Sequence, residues 1–97
     1  MEIQQNSVAG TMESSDIMIH IEPGSGGIEI ELQSIVEKQF GLEIRRAINE
    51  TLAALDIKNA RIRAVDKGAL DCVIRARVKT AVYRASGSAS YNWQGAL

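Results

Sequence analysis

The sequence predicts an α+β domain, a small three-stranded, mostly antiparallel sheet with two helices on one face, in the order β-β-α-β-α. Three observations predict it. Short runs around residues 17–21, 28–32 and 60–64 alternate apolar and polar residues, the period of a half-buried strand. Two longer stretches, 36–55 and 70–85, repeat apolar residues at i, i+3 and i+4, the period of a helix with one buried stripe. Glycine- and proline-rich punctuation falls between these patterns.

In the first strand Ile17, Ile19 and Ile21 share one face, with Met18 and His20 on the other. Pro23-Gly24-Ser25-Gly26-Gly27 then interrupts the pattern and reads as a hairpin loop. The second strand resumes with Ile28, Ile30 and Leu32 opposite Glu29, Glu31 and Gln33. Ser34-Ile35-Val36-Glu37 has the S-x-x-E form of a capping box, in which hydroxyl and carboxylate satisfy free amides at a helix start. The helix it opens carries Val36, Phe40, Ile44, Ala47, Ile48, Thr51, Leu52 and Leu55 on one face and ends near Asp56. Gly41 inside it costs about 1 kcal/mol relative to alanine.

Ala60, Ile62 and Ala64 alternate with Arg61 and Arg63 in the third strand. Lys67-Gly68 turns the chain, with Asp66 placed as an N-cap. Leu70, Val73, Ile74, Val78, Ala81, Val82 and Ala85 form the stripe of a second helix reaching Ser86. Alternation of Cys72, Ile74, Ala76 and Val78 offers a strand instead, but the helical stripe runs on past the length of an ordinary strand. The right-handed crossover rule sets the third strand parallel to the second. The expected sheet order is 2-1-3, with the first strand central. Residues 1–86 then make one domain, and 87–97, with Tyr91 and Trp93, a flexible tail.

Composition narrows the function classes. Ninety-seven residues suffice for one core. Eleven basic and twelve acidic residues give a net charge of -1, so no global field attracts nucleic acid. With four aromatic residues, Phe40, Tyr83, Tyr91 and Trp93, the core rests on Ile, Val, Leu and Ala, and no strand offers rings for stacking RNA bases. The single Cys72 excludes an internal disulfide and fits a reducing compartment. No basic-then-apolar leader and no apolar run of about 20 residues is present, so the expected location is the cytoplasm, without membrane attachment.

Catalytic parts are scarce. One His and one Cys make neither a metal cluster nor a supported Cys-His pair. No phosphate-binding glycine motif precedes a helix, since the 24–27 run leads into a strand. His20 reads as an exposed or edge residue and Cys72 as a small semi-buried one, with a redox role the weaker alternative. Arg61, Arg63, Arg75, Arg77, Lys79 and Arg84 bias the second half toward positive charge. That bias fits either a solvated face or an anion site: a phosphate group, an acidic partner or RNA.

Residues 9–16 differ from the rest. Ala9-Gly10-Thr11-Met12-Glu13-Ser14-Ser15-Asp16 is small, polar and turn-prone, and it places serine hydroxyls between two carboxylates with no activating base. The setting suits a serine modified by another enzyme better than a catalytic nucleophile, with Glu13 and Asp16 keeping the segment wet. On the local residues alone, a serine that merely caps a turn is the favoured reading, since turns rich in Ser and Asp are common.

Three blocks resemble one family in order and spacing: Val8-Ala9-Gly10-Thr11-Met12-Glu13-Ser14-Ser15-Asp16, then Val36-Glu37-Lys38-Gln39-Phe40-Gly41, then Asp66-Lys67-Gly68-Ala69-Leu70-Asp71-Cys72-Val73-Ile74-Arg75-Ala76-Arg77-Val78. They look like the acyl carrier (gamma) subunit of citrate lyase and span most of the chain. The resemblance implies a 2'-(5''-phosphoribosyl)-3'-dephospho-CoA arm, attached covalently through a phosphodiester to the serine after the glutamate, Ser14. The Ser14 hydroxyl would displace pyrophosphate from a triphosphoribosyl precursor, in a reaction run by a holo-carrier synthase.

The resemblance further implies acetyl and citryl thioesters carried between a transferase (alpha) subunit and a lyase (beta) subunit as citrate is cleaved to oxaloacetate and acetate. The carrier itself would catalyse none of these steps. The carrier subunit of malonate decarboxylase resembles the chain as a second candidate of the same kind. A small α+β module binding RNA or protein through its arginines is the alternative from another class.

Overall fold

The computed structural model describes residues 1–87, so the expectations for Tyr91, Trp93 and the tail fall outside the described residues. Along the chain come β1 (Ser7–Gly10), β2 (Ile17–Glu22), β3 (Ile28–Ser34), α1 (Glu37–Ala54), β4 (Ala60–Asp66) and α2 (Asp71–Ala85). The α+β class and both helices are as expected. The sheet differs in two ways: it has four strands, and their order is β1-β2-β4-β3.

The added strand is β1. It pairs antiparallel with β2, Ser7 opposite Ile21 and Gly10 opposite Met18. Of its residues only Ala9 is buried, so this short edge strand carries almost no hydrophobic alternation. Pattern reading has nothing to detect in such a segment; its partner makes it a strand.

The second difference is the place of β4. β2 and β3 do not form a hairpin, because β4 lies between them, antiparallel to β2 and parallel to β3. The parallel setting of β3 and β4 agrees with expectation, as α1 is the crossover that joins them. The residue 23–27 loop passes over the start of β4 instead of folding β3 back onto β2. There a Cβ on Gly24 would stand 3.1 Å from the carbonyl carbon of Ala60. Asn59 and Ala60 tie the far side of the loop, as Gly27 N donates to Asn59 Oδ1 (2.8 Å) and Ala60 N to Gly27 O (3.2 Å). Inserting β4 buries alternate residues of its length, Ala60, Ile62 and Ala64 being at most 3% exposed. A 2-1-3 order would have left that strand on an edge.

Both helices cover one face of the sheet, α2 over β1 and β2, α1 over β3, and they touch each other. Between the layers sit Ile17, Ile19, Ile21 and Ile62 from the sheet, Ile44, Ile48 and Leu52 from α1, and Ile74, Val78 and Val82 from α2. The helix stripes are as predicted except at their first turns. Phe40 and Leu70 are 49% and 68% exposed, because the starts of both helices overhang the core. α1 continues unbroken through the buried Gly41.

Neither expected cap forms. Val36 is the N-cap of α1 and Leu70 that of α2, both without side-chain capping bonds. The Ser34 hydroxyl accepts from Val36 N (3.1 Å) and donates to Asp66 Oδ2 (2.9 Å). Asp66, 1% exposed, also accepts from Gly68 N (3.1 Å) and Ala69 N (3.0 Å). Both side chains therefore brace the turn after β4 and its junction with β3. The S-x-x-E pattern thus forms no capping box, because Ser34 ends β3 and its hydroxyl is taken by Asp66.

Candidate functional site

The register brings one set of ends together. Ile17 at the start of β2 lies opposite Asp66 at the end of β4, and Asp66 lies opposite Ser34 at the end of β3. The first turns of α1 and α2 follow Ser34 and Asp66 closely, so they share this end with the β1–β2 connection, residues 11–16. Ser14 lies in that connection.

A glycine is required where the connection leaves β1. Gly10 has φ +96°, and a Cβ there would overlap the carbonyl oxygen of Ile17. Four bonds to Asp16 hold the base of the loop. Its carboxylate accepts from Thr11 Oγ1 (2.6 Å), Ile17 N (2.7 Å), Arg77 Nε (3.1 Å) and Arg77 Nη2 (2.9 Å). The Arg77 guanidinium, and next the Thr11 hydroxyl, hold this carboxyl well below the usual carboxylate range. With its side chain only 13% exposed, Asp16 is a clamp, and the expectation that it keeps the segment wet is corrected.

The backbone is anchored too. Ser15 N donates to Lys67 O (2.8 Å) and Lys67 N to Asp16 O (2.9 Å), which stitches the loop to the turn after β4. Asp16 N donates to Glu13 O (3.2 Å), closing a turn with Ser14 and Ser15 in its middle. Ser15 takes φ +66°, as the third position of such a turn can require. Met12, Glu13, Ser14 and Ser15 are all exposed. Among the described residues the Ser14 hydroxyl has no hydrogen-bond partner. The result is an open serine on a short loop whose two ends are fixed, which can receive a covalent group without disturbing the core. A prosthetic group joined through a serine oxygen fits these residues.

The basic residues do not converge on this loop as an anion site. Arg77 is engaged with Asp16. Arg75 pairs with Asp71 (2.6 Å) and Glu50 (2.8 Å), which raises its pKa. Arg84 Nη1 donates to Val8 O (2.9 Å). On the sheet face away from the helices, Arg61 pairs with Glu22 and Glu29 (3.2 Å each). The register there places Arg63 between His20 and Glu31. That face bears glutamates and, among the described residues, no Phe, Tyr or Trp, so beyond the lone His20 it lacks the stacking platform of a single-strand RNA reader. Cys72 is exposed in the first turn of α2 rather than semi-buried.

Sequence reasoning missed one feature of this end. Val36, Phe40, Ile44, Ala69, Leu70 and Ile74 line a cleft of about 400 Å³ between the two helix starts, and Glu43, Asp66, Gly68 and Asp71 complete it. Phe40 and Leu70 were the available signal: strongly apolar residues at stripe positions with nothing opposite them.

Among the described residues, no helix is long and apolar enough to cross a membrane, and no group of His, Cys, Asp and Glu is placed to hold a metal ion. The acyl-carrier family model described as malonate decarboxylase delta subunit (MdcD) matches residues 4–85. The chain is 59% identical over 95 residues to a citrate lyase acyl carrier protein of Streptococcus equi subsp. equi, covering 97% of this chain and 93% of that one. It is 55% identical over 94 residues, with the same coverage, to the proteins of that name from Streptococcus uberis and Latilactobacillus sakei. Among solved structures, a chain of a Pseudomonas malonate decarboxylase hetero-tetramer in complex with malonate shares the fold. The TM-score is 0.75, with 20% identity and 86% of each chain covered. Identity of this extent along nearly the whole chain shows that it belongs to the family of citrate lyase acyl carrier proteins.

Proposed function

We propose that this chain is the acyl carrier subunit of a citrate lyase and that its arm, 2'-(5''-phosphoribosyl)-3'-dephospho-CoA, is joined to the Ser14 oxygen through a phosphodiester. The family likeness selects the residue, the serine after Glu13, and one observation supports a site on this loop: Ser14, like Ser15, is an exposed hydroxyl without a partner among the described residues, on a loop pinned at both ends. Attached there, the arm would supply a terminal thiol able to hold acyl groups as thioesters. Of the two carboxylates flanking Ser14 and Ser15, Asp16 is committed to Arg77 and Glu13 is exposed to solvent. The base that removes the Ser14 proton would come from the holo-carrier synthase.

The chain's own contribution is presentation. The clamp at Asp16 and the ties to Lys67 fix the base of the tether, so its reach is centred on one end of the domain. Transfer between the transferase (alpha) and lyase (beta) subunits then occurs at an effective concentration on the order of millimolar, without dissociation. The domain would work in the cytoplasm, bound in a complex of these subunits. The malonate decarboxylase likeness fits a related carrier on the same fold, and the higher identity to citrate lyase carriers favours the citrate system.

Intact mass and peptide mapping of residues 7–22, on chain co-produced with its synthase, test the assignment. Ser14→Ala should fold as wild type and stay unmodified, while Ser15→Ala should still take the arm. Modification of Ser14→Ala, or its loss in Ser15→Ala alone, would move the site to Ser15.

A further inference from the structure

We infer that the apolar cleft between the starts of α1 and α2 is the resting place of the arm's adenine base, an inference that rests on attachment at Ser14. The cleft is about 400 Å³ in volume, and Gly68 on its wall directly follows Lys67. Lys67 O in turn holds the amide of Ser15, the residue next to Ser14. A group tethered at Ser14 thus starts beside the cleft rim, and its adenosine, close to the phosphodiester, arrives before the more distant pantetheine.

Chemistry selects the base among the parts of the arm. The lining offers Phe40, the chain's one phenylalanine, half-exposed, and the largely exposed Leu70, with Ile44 and Ile74 beneath. A flat heterocycle stacks on such a surface whatever its edge pattern. At the same cleft, Glu43 has no partner among the described residues and can accept from the exocyclic amino group of adenine. Asp71, although paired with Arg75, and Asp66, bonded to Ser34, Gly68 and Ala69, add negative charge. These carboxylates disfavour the arm's diphosphate, so a neutral base is admitted and the phosphates stay in solvent. Tethering raises the local concentration enough for a contact too weak to capture free adenosine.

The test uses the holo-chain, isotope-labelled in the protein and unlabelled in the arm, with attachment at Ser14 first verified by peptide mapping. Isotope-filtered NMR should show contacts from adenine H2 and H8 to the Phe40 ring and to the methyl groups of Ile44, Leu70 and Ile74. Phe40→Ala, at a half-exposed position, should keep a dispersed apo spectrum and lose most of these contacts. Narrow arm signals with methyl shifts identical to the apo-chain would overturn the inference while leaving attachment at Ser14 intact. Contacts from pantetheine methyls in place of adenine would also overturn it. An arm mapped away from Ser14 would overturn both.

Discussion

Removing the Asp16 carboxylate should loosen the loop that presents Ser14, and the structure sets the size of the effect. Asp16→Ala loses four acceptor contacts: Thr11 Oγ1, Ile17 N, and two from Arg77 in a forked geometry. The Arg77 side chain is 38% exposed, so after truncation its guanidinium regains water. The pair itself should then exceed an exposed ion pair, which gives up to about 1 kcal/mol, and fall short of a fully buried one. A coupling of about 1–2 kcal/mol follows. Adding the unpaired Ile17 amide and Thr11 hydroxyl brings the total for Asp16→Ala to about 2–3 kcal/mol. In a domain of this size that is a fall in Tm of roughly 10–20 °C.

The assay is urea unfolding of wild type, Asp16→Ala, Arg77→Met and the double variant, the methionine retaining the stem packing of Arg77. Acid adds an independent check. The folded pKa of Asp16 lies below its ordinary 3.8, so in acid the unfolded chain takes up the proton first. The stabilisation is therefore full above pH 3.8 and is lost as the pH falls below it toward the folded value. Coupling measured at pH 7 should persist at about pH 5 and shrink at about pH 2.5. Coupling below about 0.3 kcal/mol at pH 7, or equal coupling at both acid values, would refute the clamp.

Other positions give further outcomes. Gly10→Ala forces a side chain into the Ile17 carbonyl at a left-handed φ, and urea unfolding should show a loss above about 3 kcal/mol. Asp66→Ala strands the Ser34 hydroxyl and the Gly68 and Ala69 amides, which should cost about 3 kcal/mol and speed amide exchange in the turn after β4. Ile74→Asp places a charge at a site 3% exposed between α2 and the sheet, so circular dichroism should find the chain unfolded at 25 °C; native thermal stability there would contradict the α2 packing. Ser14→Ala, in contrast, should leave stability within about 0.5 kcal/mol of wild type, because its side chain is exposed and bonded to nothing described.

Local pattern alone determined a good deal here. The isoleucine alternation of β2 and the stripes of α1 and α2 were legible because each element buries one face, and burial imposes a period on the sequence. The turn within residues 11–16 was legible from its small polar residues, and likeness to a family pointed to Ser14. What pattern could not supply was anything resting on a partner distant in sequence. β1 is a strand only because β2 lies beside it. Its burial pattern carries no period to read.

The glycine-rich loop looked like a hairpin because a loop records how tightly the chain turns, and not which strand it turns beside. β4 takes the place between β2 and β3, where both of its edges are hydrogen-bonded and Ala60, Ile62 and Ala64 are buried. Ser34 and Asp66, each with the composition of a helix cap, found one another across the sheet instead, since a buried carboxylate needs every donor within reach. Arg77 was one cation among several until the packing of α2 over β2 set it against Asp16. The resemblance on which Ser14 is proposed as the attachment site was thus written in the chain. The rigid base beneath it and the cleft beside it came only from tertiary packing, which decides which side chains, far apart in sequence, share the same few ångströms.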